Sequence, residues 1–209
     1  YLIPFILVFI SIIISTFTNN FIFSFITISS GILNGWYAAV GKWYNYLFGI
    51  VFNFLNAYVC FKSGLYEFLF SHAYYTYPLI TGLFSWYKKT GSNNKIKVRS
   101  FNTKTSLLIT IICFSGSISL GYILSKVPSQ SLAFLDATSN IINVCAFILM
   151  NLRFKEAWRV MLGNNIIDLT IWILNFYLKT PNSFIMLLVS ISYLILNVIG
   201  LIKWERKKR

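Results

Sequence analysis

Seven runs of about 20 mostly apolar residues follow one another along the chain, each long enough as a helix to cross the hydrocarbon layer of a bilayer. They fall at residues 21–41, 44–62, 65–87, 105–125, 132–151, 157–178 and 183–203. The opening stretch, Tyr1 to Thr16, is also apolar but short, with Pro4 near its start and no basic flank, which fits a signal peptide poorly. It predicts a peripheral or partial helix, or an eighth span. The first residue is Tyr1 rather than Met, which leaves room for residues ahead of it.

Composition agrees with this pattern. Of the 209 residues, 57% are hydrophobic and only 11% charged, where a soluble domain carries about 25% charged. Mean hydropathy is +0.69. Cys60, Cys113 and Cys145 lie inside apolar runs without CxxC spacing, so they read as small buried hydrophobes rather than a disulfide framework. The formal net charge of +13 raises nucleic acid as a partner, and the placement of the charges argues against it. The cations sit in the gaps between apolar runs, as in loops at a membrane surface.

Seven spans put Lys42, Lys88, Lys89, Lys95, Lys97, Arg99, Lys104, Arg153, Lys155, Arg159, Lys203, Arg206, Lys207, Lys208 and Arg209 on one side, which is 15 of the 18 Lys and Arg residues. Lys62, Lys126 and Lys179 are left on the other. A wrong span count scrambles such a split, so the positive-inside rule predicts a cytoplasmic C-terminus.

Residues 82–89 read GLFSWYKK and residues 200–207 read GLIKWERK, an offset of 118 residues. Each copy closes a group of three spans, with one span between the groups. The pattern predicts an all-α integral membrane protein with seven transmembrane helices, arranged as a 3+1+3 parallel repeat, and a short N-terminal apolar helix. The expected divisions are 1–20 for the N-terminal helix and 21–89 for the first repeat. A basic loop and linker helix follow at 90–127, then the second repeat with its basic tail at 128–209.

Helical spacing gathers polar residues into stripes. The second span carries Asn45, Gly49, Asn53 and Asn56 on one face, and the third carries His72, Tyr75, Gly82 and Trp86. Asp136, Asn140, Asn143 and Asn151 line the fifth, and Trp158, Asn165, Asp168, Trp172 and Asn175 the sixth. Buried amides without partners cost about 2–7 kcal/mol, so these side chains must meet each other or water. Two readings stand side by side. Either the asparagines tie helices together at about 0.6 kcal/mol each, or the stripes line a cavity for a polar, aromatic solute.

Asp168 lies near mid-span, where a carboxylate costs at least ~2.5 kcal/mol and is a functional candidate by default. Asp136, near the end of its span, fits a capping or snorkelling role equally well. His72, the only histidine, is either a packed, hydrogen-bonded ring or a solute contact. Trp86 and Trp204, beside cations at span ends, are expected to anchor those ends at the membrane interface. Trp158 also starts near the interface, but it heads the stripe that holds Asp168, which leaves ring stacking open.

The run from Gly31 to Trp86 resembles the nicotinamide riboside transporters of the PnuC family. It carries Gly31, Lys42, Trp43, Asn45, Gly49, Gly64-Leu65-Tyr66, Tyr75 and Gly82-x-x-x-Trp86 in order. Glu156-x-Trp158, Asn165 and Gly200-x-x-x-Trp204 extend the resemblance to the second half. It implies a homotrimer and facilitated diffusion of nicotinamide riboside or a related vitamin precursor, drawn inward by cytoplasmic phosphorylation, with no cofactor or metal. Wider relatives carry thiamine, riboflavin or deoxynucleosides. The chain departs from the family at His72, often Gln, and at Met161, often Trp.

On this reading the substrate contacts are Asn45, Asn53, His72, Tyr75, Asn140, Asn143, Trp158, Met161, Asn165, Asp168 and Trp172. Aromatic rings hold the base and amides bond the ribose and carboxamide. An enzyme acting on lipid is the competing class, but HExxH and GxSxG are absent from the sequence. A scaffold whose polar faces only bind helices is the third.

Overall fold

The apolar runs fold as helices at nearly the expected positions. The structure is a computed structural model that describes residues 2–18, 20–62, 66–90, 97–126, 132–179 and 183–206. Its helices are α1 (Leu2–Thr16), α2 (Phe21–Val40), α3 (Asn45–Lys62), α4 (Tyr66–Lys88), α5 (Thr103–Leu124), α6 (Ala133–Asn151), α7 (Ala157–Tyr177) and α8 (Ser183–Glu205). Among the described residues there is no β-strand, only isolated bridge positions such as the pairing of Arg99 with Phe154. Gly64 and Leu65 of the family-like motif, Lys95 and the terminal Lys207, Lys208 and Arg209 lie outside the described residues, as does the side chain of Cys60.

Among the described residues four helical stretches, 21–40, 103–124, 133–151 and 186–205, are long and apolar enough by composition alone to cross a membrane. The polar stripes predicted on α3, α4 and α7 dilute the hydropathy of those helices. The described residues thus form helices without strands, apolar enough for a bilayer.

Contacts divide the chain into two units, residues 1–97 with 195–209 and residues 98–194. In the first, α1 packs on α2, α2 on α3 and α3 on α4. Helix α1 has 15 residues, about 22 Å at 1.5 Å per residue, which is short of a full crossing. It joins α2 through small side chains that let helix backbones approach. Ser11 and Ser15 are buried, and Ser11 Oγ lies 2.6 Å from Ser29 Oγ.

Helix ends are set by local chemistry. Asn20 Oδ1 accepts the Phe23 N–H at 3.2 Å and starts α2, and Asn102 Oδ1 accepts the Thr105 N–H at 2.9 Å and starts α5. Gly41, at φ 76°, ends α2, with its N–H on the Ala38 carbonyl and the Lys42 N–H on the Tyr37 carbonyl, both 2.9 Å. The same double bond closes α6 around Arg153, at φ 66°, with Arg153 N–H on Met150 O and Phe154 N–H on Leu149 O, both 2.9 Å. An arginine in this left-handed conformation is held by pairing with the segment before α5. The Arg99 N–H meets Arg153 O at 2.8 Å and the Lys155 N–H meets Arg99 O at 3.0 Å. Burial, together with the charge of Arg99, lowers the Arg153 guanidinium from its ordinary value.

The two tryptophans expected at the membrane interface are instead core residues, and this corrects the sequence reading. Trp86 and Trp204 are both 0% exposed, with ring centroids 5.8 Å apart. Tyr46 stands edge-on to Trp86 at 5.1 Å. Trp204 Nε1 donates to Ala38 O at 3.2 Å and Ala39 O at 3.1 Å, reaching the last carbonyls of α2, of which that of Ala38 also accepts the Gly41 N–H. Lys203 Nζ lies 4.4 Å from the Trp36 ring centre. An interfacial anchor keeps its N–H in water; this one is committed to a helix end. The two copies of the Gly-Leu-x-x-Trp motif therefore meet ring against ring.

In the second unit α5 packs on α6 and α6 on α7. Ser117 and Gly121 are the buried positions of α5, and Phe134 of α6 sits against Gly121. The rest of α5 exposes Leu107, Leu108, Ile111, Phe114 and Ile118, an apolar surface. Cys113 and Cys145 are free and half-buried, less enclosed than the sequence reading expected.

Candidate functional site

The α3 stripe turns inward as its spacing predicts. Asn45 is 1% and Asn53 7% exposed, while Leu47, Val51, Phe54 and Tyr58 face outward. Gly49 lets the helices close in. A Cβ there would stand 2.7 Å from Asn34 Nδ2 and 2.8 Å from Leu79 Cδ2. The Asn34 amide reaches across to donate to the Asn45 carbonyl at 2.9 Å. Asn45 Oδ1 is buried without a hydrogen bond.

One turn and more along α3, Asn53 and His72 come together across to α4. Asn53 Nδ2 donates to His72 O at 2.9 Å and to Thr76 Oγ1 at 3.0 Å, and the Thr76 hydroxyl donates to His72 O at 2.8 Å. With its nitrogen committed to acceptors, the Asn53 amide presents Oδ1 to His72 Nδ1 at 2.8 Å. The proton of a neutral His72 therefore sits on Nδ1, and Nε2 carries the lone pair. His72 is a hydrogen-bonded, half-buried ring. Tyr75, on the same helix, is half-buried beside Tyr74, with ring centroids 4.6 Å apart.

In the other unit the centre is Asp168 of α7. Ser139 Oγ of α6 donates to Asp168 Oδ1 at 2.5 Å, and Asn164 Nδ2, one turn earlier on α7, donates to Oδ2 at 2.9 Å. Asn164 is 5% exposed and its Oδ1 is buried without a partner. Asp168 is half-buried. At 100° per residue Trp158, Met161, Asn165, Asp168 and Trp172 share an α7 arc of roughly 80°. Trp158 is 1% and Asn165 6% exposed, while Met161 and Trp172 are half-buried. On α6, Asn140 donates to the Asp136 carbonyl at 2.9 Å and, like Asn143, is half-buried. The buried positions of α6 are Ala133 and Ala137 near its start and Ala146, Leu149 and Met150 near its end.

Sequence reasoning missed Asn34, Thr76, Ser139 and Asn164. The usable signal was spacing: Thr76 lies four residues after His72 and Asn164 four before Asp168, one helical turn in each case. Among the described residues no group of His, Cys, Asp and Glu is placed to hold a metal. Each unit thus carries its own polar cluster, amides around a ring nitrogen in the first and around a carboxylate in the second.

Residues 21–206 match the profile of a family described as nicotinamide mononucleotide transporter. A nicotinamide riboside transporter PnuC from Neisseria mucosa is 27% identical over 183 residues, covering 85% of this chain and 69% of that protein. Its namesake from Haemophilus influenzae is 26% identical over 181 residues, covering 85% and 76%. The crystal structure of the vitamin B3 transporter PnuC superposes with a TM-score of 0.81 at 24% identity, covering 97% of this chain and 88% of that one.

Proposed function

Because the chain belongs to the nicotinamide mononucleotide transporter family, we propose that it is a membrane carrier for nicotinamide riboside, the solute in the names of two of its relatives. The match across α2 to α8 carries the reading, since it takes in both polar clusters. Seven spans in a 3+1+3 parallel repeat, divided at 21–89, 90–127 and 128–209, fit two further observations. Helices α2 and α6 end in the same double hydrogen bond, and the Trp86 and Trp204 motifs sit side by side. Segregation of 15 of 18 cations supports a cytoplasmic C-terminus.

The substrate contacts are Asn45, Asn53, His72 and Tyr75 in the first unit, and Asn140, Asn143, Trp158, Met161, Asn165, Asp168 and Trp172 in the second. Amides and His72 Nε2 take over hydrogen bonds that the solute makes with water, and Trp172 offers a ring face. Transport is facilitated diffusion by a homotrimer, with substrate-driven exchange between inward- and outward-facing packings. Cytoplasmic phosphorylation of the solute keeps the flow inward. His72 and Met161 depart from the family pattern, and on that ground thiamine, riboflavin and deoxynucleosides form the second reading.

The test is uptake into liposomes containing the purified protein. Nicotinamide riboside should equilibrate without chemical change. A product other than the added solute indicates an enzyme, and no uptake of any of these compounds indicates a scaffold.

A further inference from the structure

The geometry points to Asp168 as the counter-charge for a positively charged aromatic ring, so that the carrier selects the cationic form of its solute over a neutral form of the same shape. This rests on the reading of the chain as a nucleoside carrier, and adds what decides between solutes.

Each described hydrogen bond to the carboxylate comes from a neutral group, the Ser139 hydroxyl at 2.5 Å and the Asn164 amide at 2.9 Å. Helix α6 contains no Lys or Arg, and on the α7 side the cations are Arg159 and Lys179, nine and eleven residues away. At 1.5 Å per residue those positions lie roughly 13 and 16 Å along the axis. An ionised carboxylate away from water needs an opposite charge, and none comes from α6 or α7.

A second observation points the same way. Asn164 spends its amide hydrogen on Asp168, while its Oδ1 is buried without a partner in a residue 5% exposed. Beside the carboxylate stands an unused acceptor, so the cluster lacks positive charge and hydrogen-bond donors. Trp172, one turn further along the same face and half-buried, adds the electron-rich surface that draws an organic cation. Nicotinamide riboside meets both needs, because its alkylated ring nitrogen gives the ring a permanent positive charge and its carboxamide carries N–H donors. A sodium ion is the other source of positive charge, and the experiment separates the two.

Binding to the full-length protein, purified in detergent, is measured by calorimetry for nicotinamide riboside and for its uncharged 1,4-dihydro form, in sodium and in choline buffers. Thiamine, a cation on a different ring, is a further probe. Wild type should bind the cationic form at least about tenfold more tightly than the dihydro form, equally in both buffers. Asp168→Asn should collapse that ratio towards one, and Asp168→Glu should restore most of it.

Equal wild-type affinity for the two forms, a ratio that survives Asp168→Asn, or binding that requires sodium would each overturn the proposal. So would a chain that binds none of the cationic probes. Binding of thiamine in place of nicotinamide riboside, with the same loss in Asp168→Asn, would uphold the charge rule and remove the nicotinamide riboside reading. If Asp168→Asn fails to fold, the wild-type comparison of charged and uncharged forms still decides.

Discussion

Two glycine-to-alanine changes separate packing from helix propensity within this one protein. At Gly49 an added methyl would stand 2.7 Å from Asn34 Nδ2 and 2.8 Å from Leu79 Cδ2, where carbon contacts prefer about 3.5–4.0 Å. The clashes come from α2 and α4 at once, so movement of one neighbour relieves only half of the strain. Asn34 is further held by its bond to the Asn45 carbonyl. Overpacking of this kind costs about 1–3 kcal/mol, against a gain of about 1 kcal/mol from replacing glycine by alanine within a helix. Packing wins, and Gly49→Ala should lose about 1 kcal/mol net. At Gly163, inside α7, an added Cβ meets nothing within 4 Å. The propensity gain is then unopposed, and Gly163→Ala should gain about 0.5–1 kcal/mol. Thermal unfolding of both variants in one detergent reads the difference, since 1 kcal/mol moves Tm by roughly 2–4 °C in a chain of this length. Gly49→Ala at or above the wild-type Tm, or below-wild-type stability in Gly163→Ala, would refute the reasoning.

Replacing Trp204 by Phe keeps the stack on Trp86 and deletes the N–H that reaches the α2 carbonyls, so stability should fall by about 1–3 kcal/mol. An unchanged Tm would show those carbonyls to be satisfied otherwise. Met161→Trp adds a ring on the α7 arc of Trp158 and Trp172 and should raise nicotinamide riboside affinity several-fold, with deeper quenching of tryptophan fluorescence on binding. No change in either signal would take position 161 out of the site. Nicotinamide mononucleotide brings a phosphate towards Asp168 and the unpartnered Asn164 oxygen, so a hundredfold excess should not displace the riboside. Competition at equal concentrations would contradict that.

The helices were legible because a bilayer imposes a length and an apolar composition on each span, whereas the capping at their ends, such as Gly41 after α2, came from the structure. The inward face of α3 was equally legible, since Asn45, Gly49 and Asn53 recur at four-residue steps between outward Leu47, Val51 and Phe54. Trp86 and Trp204 were misread because a tryptophan next to a cation looks alike whether its ring meets lipid headgroups or another helix. Only the neighbour decides, and here that neighbour is the other tryptophan. Ser139 and Asn164 stayed hidden for a related reason. Serine and asparagine within helices commonly bond the carbonyl one turn back, as Asn140 does, so their presence alone does not reveal a carboxylate partner on the same or the next helix.

The clasp of Trp204 on the end of α2 also sets a schedule for biogenesis. The donor and its acceptors are separated by 166 and 165 residues, so a ribosome adding about 5–20 residues per second needs roughly 8–33 s between the two. Through that interval the early helices must wait in the bilayer with the carbonyls of Ala38 and Ala39 lacking their indole donor. A chain cut short before its final turn should therefore be a preferred target for membrane quality control, even with every earlier helix already inserted.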